Sequence, residues 1–406
     1  MSQFSCVPPS ALSKPKPFQV SIPSQKLQES IDVSASLTNG LATPSRNGRE
    51  IRLELVQRKT QRLGFVLRKQ HIGNKPKPES TTCPTSPSPY THHPNTTSEP
   101  LSIHFVALFS QNPRAVPLLL LHGWPGNFME FLPILEILKE RYTPETLPYH
   151  VVVPSLPGYA FSSGPHVETN FKLSDIAAVL HAFMGELGFG GGFVVQGGII
   201  GNKVARVMGA TYETVKAVHV NFCIMPRPAG FVDDGDLNDW EKQGPERADE
   251  FKKLGSAYAL LHATKTSTIG LVLAANPLSL LAWHEQGSAR SFWHGQIKTL
   301  PLMRFSRTSL YIGSPRHFRD PSTLTDSSSL PVALARTKTQ PGTCESRWGS
   351  RGSLRSWRRF RARWAATTGD LVWYREHHAG GHFAAVERPE VLLVDIEDFI
   401  KQVWKM

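Results

Sequence analysis

The chain has 406 residues, enough for two or three domains or for one large domain with insertions. With 40% apolar and 19% charged residues it can bury a sizeable core, which excludes a wholly disordered protein. Its 45 Lys and Arg against 33 Asp and Glu give a net charge of +12, which taken alone suggests a nucleic-acid or membrane-surface partner.

In chain order, the first phrase with strand character is Pro17–Pro23 (PFQVSIP). Residues 45–100 then carry ten Lys and Arg and four Asp and Glu, a net of +6. Their last part, KPKPESTTCPTSPSPYTHHPNTTSEP, is rich in Pro, Ser and Thr and reads as a linker without a core. At Leu101 the pattern changes. LSIHFVALF (101–109) and VPLLLL (116–121) are strand-length apolar runs, the second suited to burial on both faces. His122-Gly-Trp-Pro-Gly126 interrupts the run, and 128–142 continues with helical spacing. YHVVVP (149–154) is a further buried strand. Ser174 is placed to cap a helix that stops at Gly188.

GFVVQ (192–196), the turn Gly197-Gly-Ile-Ile-Gly201 and a helix over 202–212 make a strand–turn–helix unit, followed by a strand at 215–222. Residues 226–307 are helical and mixed in polarity, which reads as a cap or lid inserted between two strands. Residues 312–364 lose periodicity and carry eleven Lys and Arg against three Asp and Glu, a net of +8. The two basic stretches hold +14 between them, so the remainder of the chain is slightly acidic at −2. A strand at 371–374 and a helix over 389–404, with Pro389 at its first position, complete the chain. Alternating strands and helices joined by Gly-rich turns predict a mostly parallel sheet with helices on both faces.

Three loops fall where such a sheet opens its crevice, at the carboxyl ends of strands. His122-Gly-Trp-Pro can aim the Trp124 backbone N–H at a developing oxyanion, or it is a rigid turn with a packed Trp. Gln196–Gly201 has the form of a nucleophile elbow, but its central residue is Ile199, which has no lone pair and no proton to give. The alternative there is a tight apolar turn. In Ala379-Gly-Gly-His-Phe-Ala-Ala385, His382 sits between a strand and the last helix and suits a general base. His377 and His378 nearby read as solvent-exposed.

The phrases HGWPGNFMEFLPILEILKERY, PYHVVVPSLPGYAFSSGP, GFVVQGGIIG, SAYALLHATKTSTIGLVLAANPLSLLAW and GGHFAAVERPE resemble the microsomal-type epoxide hydrolases, particularly the fungal ones. The resemblance covers residues 17–27, 101–311 and 364–406 in the same order. It implies an α/β-hydrolase fold: an N-terminal meander, largely degraded, over 1–100, core over 101–225, lid over 226–311, an anomalous basic insertion at 312–364, and core again over 365–406.

It also implies an elbow aspartate that attacks an apolar epoxide and forms an ester, with water activated by a histidine then releasing the diol. Carried over by position, the histidine is His382, the oxyanion donors are the N–H groups of Trp124 and Ile200, and the lid tyrosines are Tyr258 and Tyr311. No cofactor and no metal are implied. The family's roles are detoxification or secondary metabolism, and the apolar anchor of the animal enzymes is absent.

Three departures stand out. The elbow position is Ile199, and Asn202 replaces a small hydroxyl residue. Residues 346–369 contain no carboxylate for the third member of the triad, and the flanking Glu345 and Asp370 sit in no recognisable context. An impaired or non-catalytic member of the family is therefore expected. The abrupt edges of both basic stretches suggest retained introns, shifted frames or a decaying gene, which a full-length transcript encoding these residues unaltered would refute. A remote alternative is nucleic-acid binding through Arg351–Arg363, where Trp357 and Phe360 lie between arginines. The four cysteines, Cys6, Cys83, Cys223 and Cys344, are too dispersed for a zinc module or a disulfide framework. No apolar run reaches the roughly 18 residues of a membrane span, so a cytoplasmic protein is expected.

Overall fold

The structure is a computed structural model that describes residues 4, 6–13, 15–18, 80–84, 101–124, 126–165, 171–221, 257–274, 279, 283, 347–353, 368–377 and 383–404. Among the described residues, nine strands form one sheet in the order β1-β2-β3-β5-β4-β6-β7-β8-β9, numbered along the chain. β1 (Lys16–Phe18), β2 (Ser80–Pro84), β3 (Ser102–Leu108) and β5 (Tyr149–Pro154) pair antiparallel in succession. From β5 onward, β4 (Val116–Leu121), β6 (Phe193–Gly197), β7 (Val215–Val220), β8 (Arg347–Ser353) and β9 (Asp370–His377) are all parallel.

The central strands are nearly continuous apolar runs because they are covered on both faces, as parallel strands flanked by helices must be. Successive side chains alternate across the sheet. Leu119 and Leu121 therefore join one core with Phe183, Val195, Val204 and Met208. Leu118 and Leu120 join a second with Ile134, Leu138, Val194, Ile396 and Phe399. The first core is closed by α2 (Leu173–Glu186) and α3 (Ile200–Thr211). The second is closed by α1 (Leu132–Arg141) and by α7 (Pro389–Val403), with Pro389 at the helix start as its fixed φ favours. Two further helices, α4 (Ala257–Thr264) and α5 (Thr266–Ala274), lie in the segment read as a lid. The short α6 (Ala384–Glu387) precedes α7.

Several local expectations shift. The run at 128–142 opens with a tight turn of 3-10 helix, Phe128–Phe131, capped by the Asn127 side chain, before α1 begins. Ser174 is not the cap of α2. The helix starts at Leu173, and the Asp175 carboxylate reaches back to accept the Lys172 N–H at 2.7 Å. Two stretches whose composition reads as structureless contribute strands, Ser80–Pro84 and Arg347–Ser353. The physical reason is that a strand held between neighbours is stabilised by main-chain hydrogen bonds, which demand no apolar side chains. β8 is seated this way between β7 and β9.

Candidate active site

The elbow is built by β6, a four-glycine neighbourhood and α3. A Cβ at Gly197 would lie 2.3 Å from the Gly201 carbonyl oxygen, and one at Gly201 would lie 2.3 Å from that of Leu121. The turn can therefore be this sharp only because those positions lack side chains. At its apex Ile199 has φ 54° and ψ −114°. A positive φ in a β-branched residue is a strained conformation, the kind a fold retains where it must aim one side chain out of a turn. The apex side chain is a hydrocarbon, half-buried and packed beside the first core.

The HGWP turn lies directly against this apex. A Cβ on Gly123 would be 2.5 Å from the Ile199 Cβ and 2.9 Å from the Ile200 nitrogen. Gly123 and the first residue of α3 are thus brought into close contact. His122 holds the turn. Its Nε2 accepts the Leu156 N–H at 3.0 Å, which leaves Nδ1 to carry the proton and donate to the Gly123 carbonyl at 3.1 Å. Complete burial pulls the imidazole down to about 4, so it remains neutral and keeps this tautomer.

The helix α4 meets the turn through aromatic rings. Trp124 stacks on Tyr258, with centroids 4.9 Å apart and planes 13° from parallel. His262, one helical turn further along α4, sits edge-on to Trp124 at 5.0 Å and stacks on Trp283 at 5.5 Å. Burial raises the Tyr258 phenol, so its O–H stays protonated and can donate.

Trp124, Ile199, Ile200 and Tyr258 are therefore gathered at one place. His382, Tyr311 and Glu345 lie outside the described residues. Asp370 is exposed at the first residue of β9, whereas the elbow follows the carboxyl end of the parallel strands. Eight residues at roughly 3.3 Å each separate the two ends of β9, too far for Asp370 to orient an active-site histidine. His377 is not the solvent-exposed residue expected from sequence. Its Nε2 lies 2.8 Å from Oδ2 of Asp395, a fully buried carboxylate that also accepts from Arg375 at 3.2 Å.

A small cavity opens between the elbow and the start of α6. It is lined by Ile199, Gln196, Asn221 and Glu130, with Phe383 and Ala384 from the residues immediately after His382. Gln196 donates from Nε2 to the Asn221 Oδ1 at 3.0 Å. Burial lifts the Glu130 carboxyl to about 8, so near neutral pH it is mostly uncharged. Sequence reasoning missed Glu130, Gln196 and the anchoring role of His122. A signal for the first existed: a lone carboxylate within the apolar run FMEFLPIL, four residues past Gly126.

A family model described as the epoxide hydrolase N terminus matches residues 88–131, and one described as the alpha/beta hydrolase fold matches 116–221. A Dothistroma septosporum protein provisionally named an epoxide hydrolase is 35% identical over 98% of this chain and 93% of its own length. The solved structure of Aspergillus niger epoxide hydrolase is 35% identical, with a TM-score of 0.80 over 99% of this chain and all of that one. The juvenile hormone epoxide hydrolase of Bombyx mori, at 18% identity and a TM-score of 0.73, shares the fold. With this sheet order, this elbow and these relatives, the chain belongs to the epoxide hydrolase family of the α/β-hydrolase fold.

Proposed function

We propose that the protein is an epoxide hydrolase by descent that binds a small or mid-sized apolar epoxide beneath its lid and turns it over very slowly or not at all. The observation that carries this reading is Ile199 at the strained apex of an otherwise well-formed elbow. Ester formation needs a carboxylate oxygen there to open the epoxide carbon–oxygen bond, and isoleucine supplies no electron pair. The surrounding machinery supports ligand binding: a turn packed against the start of α3, a half-buried phenol at Tyr258 and aromatic walls.

In this reading His382 is the base, Trp124 and Ile200 the oxyanion donors, and Tyr258 and Tyr311 the hydroxyls that hold the epoxide oxygen. The same reading keeps the five-part division of the chain at 100, 225, 311 and 364, and a cytoplasmic location. Among the described residues no helix is long and apolar enough to cross a membrane. The test is diol formation from apolar epoxides by the unmodified chain beside its Ile199→Asp variant. Turnover only in the variant is expected. Diol formation by the unmodified chain at a rate typical of an enzyme would overturn the inactive reading.

A further inference from the structure

The elbow cavity contains two buried acceptor atoms, Glu130 Oε1 and Gln196 Oε1, that have no hydrogen-bond partner among the described residues. Leaving such a group unpaired costs about 1–3 kcal/mol, so an orphan pair around one space implies something that bonds both. The space is about 10 Å³, which is room for the centre of one water molecule and no larger ligand. The carboxyl is seated there by a close approach: a Cβ on Gly126 would lie 1.3 Å from Glu130 Oε1.

We propose that Glu130 and Gln196 bind a single water molecule in this cavity and position it beside residue 199, with Phe383 and Ala384 also lining the space. The donor count fits. Gln196 Oε1 can only accept, so the water donates one hydrogen to it. An uncharged carboxyl offers Glu130 both a donor and an acceptor toward the same water. The location gives the site its meaning, because Ile199 at the elbow apex lines the same space. Resting on the hydrolase reading, Glu130 is then a positioning residue for the water that would cleave an ester formed at position 199 in an Ile199→Asp variant. The water oxygen bonds to the ester carbonyl carbon and its proton passes to the base. The carbon–oxygen bond to the diol breaks, and the leaving diol oxygen takes up a proton.

Two measurements test this separately. The first is a high-resolution crystal structure of the full chain and of its Glu130→Gln and Glu130→Leu variants. A water within hydrogen-bond distance of both side chains is expected in the unmodified chain, retained in Glu130→Gln and lost in Glu130→Leu. A dry cavity, or a carboxyl turned to solvent, would overturn the site. The second adds the same substitutions to Ile199→Asp and follows the ester by mass spectrometry of quenched enzyme. Ester formation should be unchanged, while its hydrolysis slows by about tenfold or more with Glu130→Leu and recovers with Glu130→Gln. Both steps slowing together would refute the positioning role. If Ile199→Asp forms no ester, the hydrolase reading fails and the crystal structures still decide the water site.

Discussion

Ile199 holds a backbone conformation that a β-branched residue adopts only under constraint, at φ 54°. The constraint comes from close packing of Gly123, Gly197 and Gly201 around it, which leaves the turn no alternative path. Strain of this kind costs on the order of 1–3 kcal/mol, and glycine adopts the same angles without it. Ile199→Gly should therefore be near neutral in urea denaturation, within about 1 kcal/mol, because relief of the strain offsets the lost packing of a half-buried side chain and the freedom glycine gains when unfolded. A variant destabilised by more than that would mean that the apex is held by side-chain contacts rather than imposed by the turn. Neither outcome depends on catalysis.

Among the elements, the junction of the HGWP turn and α4 ties the elbow's surroundings to the segment read as a lid. The Trp124–Tyr258 stack is nearly parallel, and offset pairs of this type contribute about 0.5–1.5 kcal/mol beyond their burial. A double-mutant cycle with Trp124→Leu and Tyr258→Leu should return a coupling energy in that range; a value near zero would show the lid helix docking independently of the turn. The same scale explains why some elements were legible in the sequence and others were not. β4, β5 and β6 are buried on both faces, so their side chains carry the signal. β2 and β8 join the sheet through main-chain pairing, and a Ser-, Thr-, Arg- and Gly-rich segment leaves no such trace. The triad acid is a matching case from the other side. Asp370 was near in sequence to the required position, but strand direction puts it at the wrong end of β9.

For the whole molecule, buried titratable groups set the response to pH. Burial lowers His104 to about 3 and His122 and His150 to about 4. Each is neutral when folded and takes a proton near 6.5 when unfolded. The unfolded state therefore binds more protons between about pH 4 and 6.5, and stability falls as pH drops through that window. For His122, which is fully buried, the contribution is roughly 3 kcal/mol. Glu130 has the opposite sign: raised to about 8, it binds a proton more tightly folded than unfolded, and its contribution is lost as pH rises from about 4.5 to 8. Denaturation at pH 7 and pH 5 should show the lower stability at pH 5, with a steeper loss in Glu130→Gln. An equal or shallower loss in that variant would contradict a raised Glu130.

The sequence alone determined the layered α/β architecture, the elbow, the HGWP turn and the absence of a nucleophile at position 199, because these are written in short-range pattern and in the chemistry of single residues. It also located all of the excess positive charge in two stretches outside a slightly acidic remainder. Only the tertiary structure could decide that Trp124, Ile199, Ile200 and Tyr258 converge, that His377 belongs to Asp395, and that Glu130 and Gln196 face one small cavity. Those relations join residues far apart in the chain, and no local periodicity records them. They come into being when the strands align in parallel and bring their carboxyl ends to one edge.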